Sequence, residues 1–145
     1  MKRSSGMSKT RFATLVAVVF ALALGVPALA SAPREGTLVV TKECSQYSGE
    51  AGSFCTITSS NLNAIPAGSK VVYASAPAAG VLDSDLVVQS RGANVAHGHV
   101  VLNVATGTGT VTLSGGTGQF KKFSTSVAVS YLGGADFLWI GPYSY

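Results

Sequence analysis

Two histidines in the stretch "HGH" are spaced so that both could bind one metal ion. Residues two apart on a β-strand face the same side, so His97 and His99 could approach one metal ion. Zinc sites usually have three or four protein ligands. No third ligand lies nearby in the sequence, and Asp83 or Asp85 could supply one only through the fold. The alternative is a pair of surface or rim histidines around a turn glycine, and the sequence favours it over a metal site.

The stretch "SGGTGQFKKF", residues 114–123, combines glycines with two lysines, as phosphate-binding loops do. A phosphate-binding loop needs Gly-Lys followed by a hydroxyl residue at a strand-to-helix junction. Here Lys121 follows phenylalanine, and Lys122 precedes one. We interpret the two lysines as a solvated pair, with contact to an anionic lipid or polymer as the alternative. The glycines can take positive φ and are predicted to form the structural turn of a tight hairpin: Gly115, Gly116 and Gly118.

No recognisable catalytic set is present. The residue types of a Ser-His-Asp hydrolase occur, but the Gly-x-Ser-x-Gly elbow does not. The catalytic residues are therefore unknown at this stage, and no cofactor is predicted. Four aromatic residues are candidates for binding a small ligand, with core packing as the alternative for each: Tyr73, Tyr131, Trp139 and Tyr143.

The elements that position these residues follow a targeting segment. Residues 1–30 show a basic start, an apolar run over Phe12–Gly25 and small residues, which is the order of a secretory signal peptide. We expect cleavage after Ala30. The apolar run is shorter than the roughly 20 residues of a membrane span. The sequence thus predicts a secreted, extracellular protein with no stable membrane span after cleavage.

The charge of the remaining region excludes one class of partner. The whole chain has a net charge of +4, but residues 31–145 carry six basic and six acidic side chains. Nucleic-acid binding normally requires a basic face, so no nucleic-acid partner is expected. The 115 residues after the signal peptide suit one domain. Within it, Cys44 and Cys55 are the only cysteines, and an exported protein with an even count favours a disulfide.

The pattern of this region is all-β. Glycine recurs throughout, no sustained 3.6-residue apolar period occurs, and about eight apolar segments are separated by turn residues. The segment "PAAGVLDSD", residues 77–85, is interpreted as a turn. Val111 and Leu113 share one face of a predicted strand, and Val127, Val129 and Tyr131 share one face of the next. Such strands most economically close into a small antiparallel eight-stranded barrel, with a two-sheet sandwich as the alternative.

The C-terminal part adds a family resemblance. The stretches "GTGTVTLSGGTGQFKKFSTSVAVS" and "GGADFLWIGPYSY" resemble small secreted bacterial members of the allene oxide cyclase/dirigent-like β-barrel superfamily. The matching positions are structural ones, so no catalytic residue is carried over from the family. The resemblance implies an eight-stranded barrel with an inner cavity. Because plant relatives associate through their barrels, it also implies a homo-oligomer.

Two functions follow as hypotheses. The first is a secreted, non-catalytic barrel that binds a small apolar molecule or has an extracellular interaction role. The second is a cyclase- or dirigent-type enzyme that steers ring closure or coupling of a reactive apolar substrate by holding one conformer. The first is favoured because no catalytic set is recognisable. A cavity of several hundred Å³ would fit either a binder or an enzyme.

Overall fold

The computed structural model describes residues 34–145, which form eight β-strands and one short 3₁₀ helix. The signal peptide predicted for residues 1–30 lies outside the described residues. Within residues 34–145, no helix has the length and apolar character needed to cross a membrane. The strands are β1 (Glu35–Glu43), β2 (Phe54–Ser60), β3 (Lys70–Tyr73), β4 (Val81–Gln89), β5 (Val95–Asn103), β6 (Thr108–Gly116), β7 (Ser124–Gly133) and β8 (Asp136–Ser144).

The strands form a closed antiparallel barrel in which each pairs with the next along the chain. The closing seam joins β1 to β8 over nine residue pairs, with Val40 opposite Trp139. This confirms the predicted eight-stranded barrel and excludes the two-sheet sandwich for this region. Closure satisfies the backbone hydrogen-bonding groups that an open sheet would expose at its two edges.

The side chains that fill the lumen follow the predicted alternation. Val111 and Leu113 on β6 and Val127 and Val129 on β7 are buried, while their neighbours are exposed or only half-buried. Tyr131 departs from this pattern. The β7–β8 register shifts between Tyr131 and Gly133, and Tyr131 is 48% exposed at the rim of the barrel.

Strand β4 starts earlier than the sequence indicated. The sequence predicts a turn over "VLDSD", but Val81–Asp85 forms the first half of β4. Leu82 and Ser84 point into the lumen and are buried, whereas Asp83 and Asp85 lie on the outer face. The turn interpretation is wrong because strand alternation accommodates two acidic residues when both face solvent.

Glycine is required where neighbouring backbones approach closely inside the barrel. A Cβ on Gly98 would lie 2.3 Å from the carbonyl oxygen of Thr112, and one on Gly141 would lie 2.1 Å from that of Ser126. Both distances are far below van der Waals contact. Gly98 is therefore a strand residue within β5, beside a register shift, and not the turn glycine considered for "HGH".

The two ends of the barrel are covered differently. We call the end with the connections 61–69, 90–94 and 117–123 the closed end. There Phe120 and Phe123 are fully buried with their ring centroids 5.4 Å apart, and Ile65 packs in the same core. We call the opposite end, with the connections 44–53, 74–80, 104–107 and 134–135, the lysine end, because Lys42 points into the lumen there.

The glycine-rich stretch forms part of the closed end. Gly115, Gly116 and Gly118 have φ values of 76°, 152° and 56°, all in the region that favours glycine. The connection is longer than the tight hairpin that the sequence predicts, because the 3₁₀ helix Gly118–Phe120 follows the glycines. This extra turn carries Phe120 and then Phe123 into the end of the lumen.

Candidate functional site

Lys42 is the most unusual residue of the barrel interior. On β1 it continues the inward series of Leu38 and Val40, and only 5% of it is exposed. Thr41 pairs with Ser59 and Lys42 pairs with Ile57, so Thr58 of β2 has no pairing partner on β1, which marks a β-bulge. Bulges redirect side chains and often occur beside functional sites. The strand pattern therefore forces a charged residue type into an apolar lumen.

The ammonium group of Lys42 is surrounded by aromatic rings. Its Nζ donates a hydrogen bond to Tyr73 Oη and lies 3.8 Å from Cys55 Sγ. The ring centroids of Tyr73, Phe137 and Trp139 lie 5.1, 5.2 and 5.2 Å from Nζ. No carboxylate of the described residues lies within ion-pairing distance of it. This set of contacts stabilises an amine through rings and a phenol instead of through an opposite charge.

Burial decides the protonation of this pair. Desolvation lowers the pKa of Lys42 to about 7, because the charged form loses its water. The pKa of Tyr73 is raised above its ordinary value, first by burial and second by the nearby Tyr47. At neutral pH, Tyr73 is therefore a neutral phenol, and a substantial share of Lys42 is a neutral amine.

A small cavity adjoins Lys42 at the lysine end. Its volume is about 50 Å³, and it is walled by Tyr73, Leu82 and the Cys44–Cys55 disulfide. It opens between three partly buried side chains, which we call the rim: Tyr47, Leu102 and Phe137. This is smaller than the several hundred Å³ of a cavity that encloses a whole ligand. The space fits a polar head group, while the rim offers apolar surface to the rest of a molecule.

The disulfide holds the rim in place. Cys44 and Cys55 are bonded, as the sequence predicted, and join the end of β1 to the start of β2. The loop between them carries Tyr47, whose ring packs edge-on against Tyr73 at 5.3 Å between centroids. The disulfide thus fixes one wall of the cavity and the loop that covers it.

Two buried donors at this end have no protein partner. Among the described residues, neither Tyr47 Oη nor Trp139 Nε1 makes a hydrogen bond. Buried polar atoms are usually paired, and an unpaired one indicates a strained or functional position. Together with Lys42 and Tyr73, these groups give the lysine end four polar atoms that can donate a hydrogen bond.

The four aromatic candidates from the sequence are not one cluster. Tyr73 lines the cavity, and Trp139 lies fully buried beneath Lys42. Tyr131 lies on the outer surface at the lysine end and does not line the cavity. Its ring packs on Phe137, and its hydroxyl donates to the carbonyl of Gly134. Tyr143 belongs to the closed end. Its ring packs against Phe123, at 6.1 Å between centroids.

The two histidines lie together on the outer face of β5. His99 Nε2 is 2.7 Å from Asp83 Oδ1, and His99 Nδ1 is 2.8 Å from Asp85 Oδ1. These hydrogen bonds, Asp85 first and Asp83 second, raise the pKa of His99. The fold does bring the two aspartates to His99, but they engage its two ring nitrogens from the neighbouring strand. Within residues 34–145, no group of three His, Cys, Asp or Glu side chains has the arrangement of a metal site.

The lysine pair lies on the surface of the closed end. Lys121 and Lys122 are exposed and share a shallow groove with Arg34, Gln119 and Tyr145. No described carboxylate pairs with the two lysines. They are separated from the cavity beside Lys42 by the packed length of the barrel.

Sequence reasoning missed the residue at the centre of this site. In the sequence Lys42 contributes only to the count of basic residues, although Leu38 and Val40 already define the inward face of β1. Extending that period of two by one step would have placed Lys42 in the lumen. Tyr47 had no such signal, since its position depends on the disulfide and the loop.

Comparison of the chain with family models, curated proteins and solved structures gives no significant match.

Proposed function

We propose that the protein is a secreted, non-catalytic binding protein whose lysine end holds a small apolar molecule with a hydrogen-bond acceptor at one end. The observation that carries this proposal is the set of buried donors beside an apolar opening. Lys42 and Tyr73 stand at the bottom of the cavity, and the rim above them is apolar and aromatic. Small-molecule sites commonly combine apolar walls with a few convergent polar groups.

The size of the cavity limits the ligand. A volume of about 50 Å³ accommodates an oxygen and one or two carbon atoms, so the rest of the ligand lies between Tyr47, Leu102 and Phe137. A rod-shaped aliphatic or small aromatic molecule fits this description better than a branched one. Membership of the allene oxide cyclase/dirigent-like superfamily stays a proposal that rests on the resemblance of the C-terminal stretches, and the closed eight-stranded barrel is compatible with it.

The proposal can be tested with straight-chain alcohols, which combine an acceptor oxygen with an apolar chain. Butanol, hexanol and octanol are titrated into the ¹⁵N-labelled protein, and amide chemical shifts are followed by NMR. We expect saturable shifts confined to the lysine end, with affinity rising with chain length as more apolar surface is buried. Shifts that are absent, or that centre on the closed end, would contradict the proposal.

Two adjacent residues of β5 provide a matched pair of variants. Leu102 faces the cavity, whereas Val101 is exposed on the outer wall. Leu102→Trp fills the opening and should abolish alcohol binding, while Val101→Trp adds the same ring outside and should leave binding intact. Equal loss in both variants would show that the effect is one of folding.

A further inference from the structure

Lys42 is the only buried lysine of residues 34–145. Lys70, Lys121 and Lys122 are exposed, and the Nζ of Lys70 lies on the surface 4.5 Å from the centroid of the Phe54 ring. Lys42 Nζ instead points to the cavity floor, with Tyr73 Oη as its hydrogen-bond partner and aromatic rings around it. A buried lysine without a carboxylate partner is rare, because burying an unpaired charge is costly. One recurring use of such a lysine is as a nucleophile.

The groups facing Lys42 leave its amine free to react. Tyr73 faces it from β3 and Tyr47 from the β1–β2 loop, and both are phenols whose pKa is raised. The Cys44–Cys55 disulfide does not titrate. Burial lowers the pKa of Lys42 to about 7, so the neutral amine is abundant at physiological pH. An exposed lysine, with a pKa near 10.4, is almost fully protonated there.

We propose that Lys42 captures a small apolar aldehyde as a covalent imine in this cavity. The inference rests on the proposed binding function and names its ligand class. An aldehyde carries its carbonyl at the end of a single chain, so only the C=O group and its hydrogen must enter the space of about 50 Å³. A ketone would have to place a second carbon chain in the same space.

The chemistry balances with the groups present. The Nζ lone pair attacks the carbonyl carbon and forms the C–N bond, while the Tyr73 hydroxyl gives its proton to the carbonyl oxygen. The new nitrogen centre returns a proton to Tyr73, and a neutral carbinolamine results. Loss of the hydroxyl group, with the remaining nitrogen proton, releases water and forms the C=N bond. No oxidant or reductant is needed, and hydrolysis reverses the step.

The test is reductive trapping of the purified protein with its disulfide intact. The protein is incubated at pH 7 with hexanal and sodium cyanoborohydride, which reduces an imine to a stable amine. Intact mass and peptide mapping then locate the added hexyl group. We expect Lys42 to be modified at least about tenfold faster than Lys70, Lys121 or Lys122, because a substantial share of Lys42 is a neutral amine beside a cavity that holds the aldehyde. Equal modification of all four lysines would overturn the proposal.

The pH dependence gives an independent readout. Trapping at Lys42 should rise with pH up to about 7 and then level off. Tyr73→Phe removes the proton donor but keeps the ring, and it should slow capture at Lys42 without changing the rate at Lys70. A Tyr73→Phe variant that reacts like the unmodified protein would remove Tyr73 from the mechanism.

Alcohol binding separates the failure of capture from the failure of the site. If hexanol binds at the lysine end but hexanal is not trapped at Lys42, the binding site stands and covalent capture is wrong. If neither occurs, both proposals fall. The Leu102→Trp variant should lose both activities, and Val101→Trp should retain both. Lys42→Met, which keeps the length of the side chain, should lose trapping at this position and bind hexanol more weakly, because one donor of the cavity is gone.

Discussion

At the closed end, the lumen is covered by Phe120 and Phe123. Phe120 packs against Phe123, and Phe123 packs against Tyr143 and Tyr145, with ring centroids 5.1–6.1 Å apart. Buried polar groups near this end are paired within the chain. Thr125 donates to the carbonyl of Pro142. At the lysine end, a buried amine takes the place of an apolar side chain, and the buried donors Tyr47 Oη and Trp139 Nε1 lack partners.

The two ends of the barrel therefore differ in role: the closed end stabilises the fold, and the lysine end carries the candidate binding site. The closed end contributes apolar burial with satisfied hydrogen bonds, which is how a core gains free energy. The lysine end gives up some of that free energy by burying an amine and leaving a cavity. Functional sites are the places where such local costs are retained.

The largest expected effect is at the closed end. Phe123→Ala removes a ring that is 1% exposed, and it should lower the free energy of unfolding by about 3–5 kcal/mol. Phe137→Ala, at the partly exposed rim of the lysine end, should lower it by only about 1–2 kcal/mol. Urea denaturation of both variants measures the difference. Equal losses would show that the two ends contribute alike to the core.

The disulfide should matter for the lysine end alone. Replacing both Cys44 and Cys55 by alanine opens a short loop and should cost about 3 kcal/mol of unfolding free energy. The NMR signals of Tyr47 and Tyr73 should shift or broaden, while those of Phe120 and Phe123 stay in place. A rearranged closed end in this variant would mean that the two ends are coupled through the barrel.

Lys42 should give the protein a pH-dependent stability. In the unfolded chain Lys42 binds its proton up to about pH 10.5, whereas in the folded protein it releases it near pH 7. Between these values the unfolded state binds more protons, so stability rises with pH, by up to about 1.4 kcal/mol per unit. Above pH 10 the raised pKa of Tyr73 acts in the opposite direction, because the unfolded tyrosine then ionises first.

The matched variant for this prediction is Lys42→Met. Urea denaturation from pH 7 to pH 10 should show a rising stability for the unmodified protein and a flat profile for Lys42→Met. Lys122→Met, at an exposed position of the closed end, should keep the rising profile. A slope that persists in Lys42→Met would assign it to another group.

The smallest effect is expected on the outer wall, away from both ends. His99 is held by Asp85 and Asp83, which raise its pKa above the ordinary 6.5. NMR titration of the imidazole should show this increase, and Asp85→Asn should bring the pKa back toward 6.5. Because His99 and both aspartates are exposed, the global stability should hardly change in Asp85→Asn. A marked loss of stability in Asp85→Asn would contradict this view.

The fold was predictable because its signals are local and repeated. Val111, Leu113, Val127 and Val129 alternate with small polar residues, and glycines separate the segments. Alternation predicted strands, and the number of strands favoured closure. The first half of β4 was missed because Asp83 and Asp85 resemble a turn when read alone. Their partner, His99, lies on the next strand, so the pairing that explains them is invisible in the sequence.

The candidate site was harder to predict from the sequence than the fold, and the reason is physical. Its parts come from β1 to β5, β8 and the disulfide-bonded loop, and only barrel closure brings them together. Lys42 could have been placed inside from the alternation of β1. That Tyr73 would meet it depends on the shear of the barrel, which no local pattern encodes. The aromatic candidates Tyr73 and Tyr143 have the same residue type and an inward position, yet they lie at opposite ends.

The seam between β1 and β8 has a consequence for how the chain reaches this structure. It joins residues 35–43 to residues 136–144, so nearly the whole described length separates the partners. Loop closure of this span has a high entropic cost, and contacts so distant in sequence form slowly. Until residues 136–144 are in place, β1 and β7 each present a bare edge. A chain synthesised from its N-terminus must therefore carry its first strand unpaired on one side until residues 136–144 have been made.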